Sequence, residues 1–253
     1  MHLLKHLLFV LSLSISCVVV AKDLRIVIGA ELPPYVFNRM SSGIEIDIIK
    51  EALKVKDHTV SFEVVPYMRL QSSLKTREVD GIAQNTVYDI GKEANVIVHE
   101  SDTTVKYHNF AITFLDKNFK IESIQELANK KILAFQNSNR YLGPVYAAMA
   151  NTNARYREHP SQAFQIKQLY SGKVDVVIAD KRIFYYWKNH AQSEGGLDPK
   201  NKMRQLKFHS IFEASARNVK FLDRDIRDDF NYGLGVIKAN GLYGDILDSY
   251  ENM

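Results

Sequence analysis

The chain has 253 residues, 46% of them hydrophobic and 25% charged, with a formal charge of +4 and a single cysteine. That is length and apolar content enough for one large or two small globular domains with a substantial core, so neither a disulfide framework nor a structural metal is required. The charge is mild and the basic residues are scattered, which excludes the concentrated basic face of a nucleic-acid-binding surface.

Residues 1–21 stand apart. Lys5 supplies a short positive segment, residues 7–20 are nearly all apolar, and Val19, Val20 and Ala21 are the small residues of a cleavage site. This is the pattern of a secretory signal peptide, with a mature start at Lys22. Cleavage removes Lys5 and no acid, taking the charge from +4 to +3. Cys17 lies inside this segment. A faint resemblance to a lipoprotein box exists there, with Ser14 where leucine is usual. No second apolar stretch approaches bilayer length.

The mature chain opens with a strand, LRIVIG at 24–29, followed by the Pro33–Pro34 loop. Ile44, Ile48, Ile49, Ala52 and Leu53 form a helical stripe. Val60, Phe62 and Val64 alternate as a strand, 68–77 reads as a helix, and 79–83 as a short buried strand. The pattern then restarts. Ser123 and Glu126 make a capping box, 131–135 is a strand, 161–170 a helix and 174–179 a strand. Strands alternating with helices predict an α/β architecture with parallel strands.

The halves echo each other. Leu74, Val79, Asp80 and Ile82 recur with the same spacing as Leu169, Val174, Asp175 and Val177. In open parallel sheets, ligands bind beyond the carboxyl ends of strands. Four such ends lead into polar loops here: Glu31 to Tyr35, Gln84 to Thr86, Gln136 to Asn139, and Asp180. If two lobes face each other, these loops converge on one cleft.

The common marked chemistries are missing. There is no phosphate-binding Gly-Lys loop, no His-Glu-x-x-His, no cysteine pair and no Gly-x-Ser-x-Gly elbow. Gly233 and Gly235 lack the third glycine of a dinucleotide loop. The expectation is a chain without metal or cofactor.

Taken together, GAELPPY at 29–35, residues 43–53, EVDGI at 78–82, residues 123–135, GKVD at 172–175 running on to Asp180, and residues 240–250 resemble the family 3 bacterial extracellular solute-binding proteins, which include polar amino-acid receptors of ABC importers. PYMR at 66–69 further resembles a branch with a PWxR signature. The resemblance spans nearly all of 23–253. It implies a type II periplasmic binding-protein fold, with two α/β lobes joined by two hinge strands. It places lobe one at about 22–108 plus 209–253 and lobe two at about 109–208. It implies a periplasmic, monomeric, non-enzymatic receptor whose partners are a small polar ligand, amino-acid-like in the family's manner, and an inner-membrane ABC permease.

The carboxylate-binding arginine of amino-acid receptors falls at Lys92, which keeps the charge but loses the planar fork. The usual aromatic before the double proline is Leu32, and the usual lobe-two threonine turn is Asn137, Ser138 and Asn139. The family's ammonium-binding aspartate is retained as Asp180, for which a plain helix N-cap is the other role. The remaining candidates are Glu31, Tyr35, Tyr67, Arg69, Asn85 and Thr86, each with a packing, capping or surface alternative. Two other functions stay open on the same fold: a sensing module acting in trans, and a dehydratase-like enzyme with Glu31 as its acid.

Overall fold

The computed structural model describes residues 21–29, 31–37, 41–85, 89–197, 200–251 and 253, without the side chains of Tyr67 and Met68. Residues 1–20, which carry the expected signal sequence, and Thr86 lie outside the described residues.

In chain order the first run of elements is β1 (Asp23–Ile28), α1 (Ile44–Lys54), β2 (Thr59–Val64), α2 (Tyr67–Thr76), β3 (Gly81–Asn85), α3 (Ile90–Ala94), β4 (His99–Glu100) and β5 (Lys106–Tyr107). A second run follows: β6 (Asn109–Phe114), β7 (Ile132–Phe135), α4 (Ser138–Tyr141), α5 (Pro144–Thr152), β8 (Tyr156–His159), α6 (Gln162–Tyr170), β9 (Val176–Asp180), α7 (Lys181–Ser193) and β10 (Leu206–His209). The chain closes with β11 (Ser215–Phe221), α8 (Arg224–Ala239) and α9 (Leu242–Ser249).

These form two sheets. One runs β2-β1-β3-β11-β4, with β5 also paired to β11; the other runs β10-β6-β9-β7-β8. β1 is parallel to both β2 and β3, and β7 is parallel to both β8 and β9. The parallel expectation holds for these units, but each sheet also carries antiparallel strands: β11 against β3, and β6 against β9. The antiparallel strands flank the crossings between sheets. His108 separates β5 from β6, and residues 210–214 lead from β10 to β11.

The echoed aspartates explain how each sheet is started. Asp80 accepts from the Arg25 amide at 2.7 Å, and Asp175 accepts from the Lys131 amide at 3.1 Å. In return, the Asp80 amide donates to the Arg25 carbonyl and the Asp175 amide to the Lys131 carbonyl, both at 2.8 Å. Each aspartate pins the entrance of the sheet's first parallel strand to the strand that follows a helix. This is also why the strand expected from Val79 starts only at Gly81.

β1 is apolar on consecutive residues because both its faces are covered, as in other parallel sheets. Ile26 and Ile28 pack with Ile44, Ile48, Phe221 and Phe230, whereas Val27 packs with Leu70, Leu74, Ile82 and Ile90. α1 begins at Gly43, whose φ of 131° suits glycine, and a Cβ there would lie 2.4 Å from the Tyr35 carbonyl oxygen. α1 and α8 meet at Gly233, where a Cβ would fall 1.8 Å from the Ala52 oxygen. The returning α8 is thus fitted backbone to backbone against α1. Among the described residues no helix is long and apolar enough to cross a membrane.

Candidate functional site

The carboxyl ends of β1, β3, β7 and β9 open onto one cleft of about 910 Å³ between the sheets. The first sheet contributes Glu31, Leu32, Gln84 and Asn85, and the second contributes Phe135, Gln136, Tyr141 and Asp180. The crossing segments add Tyr107, Asn109, Glu213, Ser215 and Arg217. The wall is apolar over Leu70, Ile124, Leu142, Val145, Ile183, Ile211 and Phe212, so the polar groups are set in a hydrophobic lining.

Asp180 is buried, with 4% exposure, at the end of β9. Its Oδ1 accepts from the amides of Arg182 at 2.9 Å and Ile183 at 3.2 Å, which makes it the N-cap of α7. Its Oδ2 accepts from the His108 amide at 2.8 Å. The Tyr35 hydroxyl lies 3.2 and 3.3 Å from the two oxygens. Burial pushes the carboxyl above its ordinary value, against the pull of these donors. The cap role is therefore realised, and a ligand ammonium would share an oxygen already engaged by protein donors.

Tyr35 is itself buried, its ring tilted against Tyr107 with 4.3 Å between centroids. It reaches Asp180 from the opposite sheet and does not line the cleft. Glu31 and Asn85 do line it, and Asn85 donates to the Ser215 hydroxyl at 2.7 Å.

Ser138 and Asn139 sit at the start of α4, where free amides could hold an anion. In the structure that position is filled by the chain's own Glu158. Its carboxylate accepts from the Asn137 amide at 2.7 Å, the Asn139 amide at 3.0 Å, the Ser138 hydroxyl at 3.1 Å and the Tyr156 hydroxyl at 2.6 Å. Burial opposes ionisation of Glu158, but these donors outweigh it and hold the carboxyl below its ordinary range. Ser138 is fully buried, and neither it nor Asn139 is part of the cleft wall.

Arg69 and Lys92 also lie off the described wall. Arg69 is exposed on α2, whose next residue, Leu70, turns inward. Lys92 is exposed on α3, its amide capped by Asp89 at 3.1 Å. Tyr67 opens α2, but its side chain lies outside the described residues.

The guanidinium that does reach the cleft is Arg217, a residue the sequence patterns did not single out. It donates to the buried Glu45 at 2.7 Å and stands 4.9 Å from the centroid of the Tyr107 ring. Glu45 also accepts from Thr104 at 3.4 Å and Tyr107 at 3.5 Å. Arg217 thus ties β11 to α1 through Glu45 and also lines the cleft. Among the described residues no three His, Cys, Asp or Glu side chains gather as a metal site.

No protein-family model matches the chain, and no curated protein matches it. Solved structures do. An ancestral cationic amino-acid solute-binding protein superposes with a TM-score of 0.67 at 17% identity, covering 90% of this chain and 95% of that one. A histidine kinase sensor domain with similarity to periplasmic binding proteins gives 0.64 at 16% identity, covering 90% and 95%. A polar amino-acid ABC uptake transporter substrate-binding protein from Streptococcus thermophilus gives 0.63 at 17% identity, covering 90% and 85%. The fold is that of the type II periplasmic binding proteins.

Within that fold, the described wall carries three carboxylates, Glu31, Asp180 and Glu213, and one guanidinium, Arg217, which is already paired. A cleft so lined favours positive charge in whatever it encloses.

Proposed function

We propose that this chain is a periplasmic receptor that captures a small polar ligand, amino-acid-like and bearing an amine, between its lobes and delivers it to an inner-membrane ABC permease. The observation that carries this reading is the single cleft of about 910 Å³, at which four strand ends from two separate sheets converge. Its apolar wall excludes water, and its scattered amides and carboxylates orient a polar guest. Three acids against one paired base favour a cationic group in the ligand. The shared fold with a cationic amino-acid receptor supports the same ligand class.

A thermal-shift screen tests it. The panel holds cationic, neutral and acidic amino acids, polyamines and organic acids. A ligand at one hundred times its dissociation constant adds about 2.7 kcal/mol of stability. The expected result is a clear rise in Tm with amine-bearing compounds. A response to organic acids alone would remove the charge argument, and no response to any compound would count against a small-molecule receptor of this class.

The shared fold with a histidine kinase sensor domain favours one second reading: the same capture event feeding a signalling partner. Crosslinking in membranes with ligand present separates the two, a permease subunit supporting transport and a kinase supporting sensing.

A further inference from the structure

Behind the Tyr35–Asp180 contact lies a second cavity, of about 460 Å³, that shares no lining residue with the cleft. Three of its lining residues are cations: Lys106, Arg182 and Lys238. No carboxylate lines it among the described residues. The three come from different parts of the fold. Lys106 lies on β5 at the crossing to the second sheet, Arg182 in the first turn of α7, and Lys238 in the last turn of α8.

Their existing contacts leave charge to spare. Lys238 reaches the Thr103 carbonyl at 3.4 Å and stands 5.3 Å from the centroid of the Tyr243 ring. Arg182 has Glu251 as its one ion pair among the described residues, at 3.8 Å, and also interacts with the Tyr35 hydroxyl, but its Nε is buried without a hydrogen-bond partner. Lys106 has no ion pair among the described residues. A buried guanidinium N–H without an acceptor is uncommon in folded proteins and calls for an explanation. Three cations around one concavity also repel each other unless an anion joins them.

We propose that this cavity binds a small multivalent anion, a phosphoryl compound or a polycarboxylate, held jointly by Lys106, Arg182 and Lys238 across the hinge. Arg182 belongs to the second lobe, and Lys106 and Lys238 belong to elements attached to the first sheet. A bound anion therefore ties the lobes together at a site separate from the cleft. The Thr103 hydroxyl at its wall offers a further donor, whereas the Tyr243 hydroxyl is already committed to the Thr104 carbonyl at 2.8 Å.

The test is calorimetric titration with pyrophosphate and with citrate at fixed ionic strength, with chloride as the matched salt. The expected result is saturable one-site binding of at least one of them. That binding should weaken at least tenfold in Arg182→Gln and in the double variant Lys106→Gln/Lys238→Gln, with circular dichroism confirming that both fold. Binding of pyrophosphate alone identifies phosphoryl chemistry, and of citrate alone carboxylate chemistry. Absence of saturable binding of either, or wild-type affinity in both variants, overturns the proposal.

Discussion

The Tyr35 hydroxyl, carried by the loop after β1, lies 3.2 and 3.3 Å from the two carboxylate oxygens of Asp180 at the end of β9. This is a direct polar contact between the two lobes, formed beside the cleft. Removing it with Tyr35→Phe leaves Asp180 its three backbone donors and keeps the ring on Tyr107. The expected cost is about 0.5–1.5 kcal/mol in urea denaturation. Small-angle scattering should show a larger radius of gyration for the variant, because one tie between the lobes is gone. An unchanged radius would mean that the contact follows lobe position and does not help to set it.

Asp180 also predicts a pH dependence. Its carboxyl is raised by burial above the ordinary value of 3.8, so the native state holds the proton more tightly than the unfolded chain. The stabilisation from that proton is complete below the unfolded value and is lost as pH rises through the folded one. Asp180→Asn has no proton to lose. The stability of wild type relative to this variant should therefore fall as pH rises from acid toward neutral, read from urea curves across that range. A gap that widens with pH would show the donors, not burial, to be in control.

Glu158 should behave in the opposite way. Its carboxyl is held below the ordinary 4.5, so the stability it contributes is present above that value and lost as pH falls through the folded one. Glu158→Gln should lower Tm at neutral pH, and the deficit should shrink in acid. Hydrogen exchange at the Asn137 and Asn139 amides should accelerate in the variant. Unchanged protection there would mean that Glu158 does not hold the start of α4.

The Glu45–Arg217 pair is buried at 2.7 Å, with side-chain exposures of 0% and 11%. Removing one partner leaves the other charge buried, at a typical cost of 3–5 kcal/mol, roughly. Glu45→Gln should show this loss in denaturation. It should also weaken ligand binding, since Arg217 lines the cleft. Full stability in the variant would place Arg217 in contact with water.

Gly233→Ala tests the seam between α1 and α8. The added methyl would lie 1.8 Å from the Ala52 oxygen, so one helix must move. A loss of about 1–3 kcal/mol is expected, as for other overpacked sites. Gly235→Ala, which meets nothing within 4 Å, is the control and should be close to neutral.

The parallel units were legible because their strands are continuous apolar runs, and the paired aspartates marked equivalent positions in both. The antiparallel strands were not. β11 reads SARNVKF, and its Lys220 is fully buried only because Glu100 and Asn218 meet it. Such a pattern looks like surface until its partner is known. The capping box at Ser123 and Glu126 did form, but it opens a single 3₁₀ turn, Ile124–Leu127, not a longer helix. At the site, strand-end loops could be found in the sequence, and Glu31, Asn85 and Asp180 do line the cleft. Arg217, Tyr107 and Asn109 could not, because they reach the cleft from crossing segments whose position depends on both sheets. Glu158 carried no signal, since its four donors assemble only when β8 lies beside α4.

β11 sits between β3 and β4 in the first sheet, yet it follows all five strands of the second sheet in chain order. A chain appearing from its N-terminus can complete the second sheet while the first still lacks an interior strand, together with Phe221 and the Phe230 helix that seal its core. Until then the β3 edge is bare, and unpaired edges invite pairing with other chains. Synthesis and maturation therefore have a vulnerable interval built into the connectivity. A nonsense change between His209 and Ser215 would leave one intact half tethered to an adhesive one.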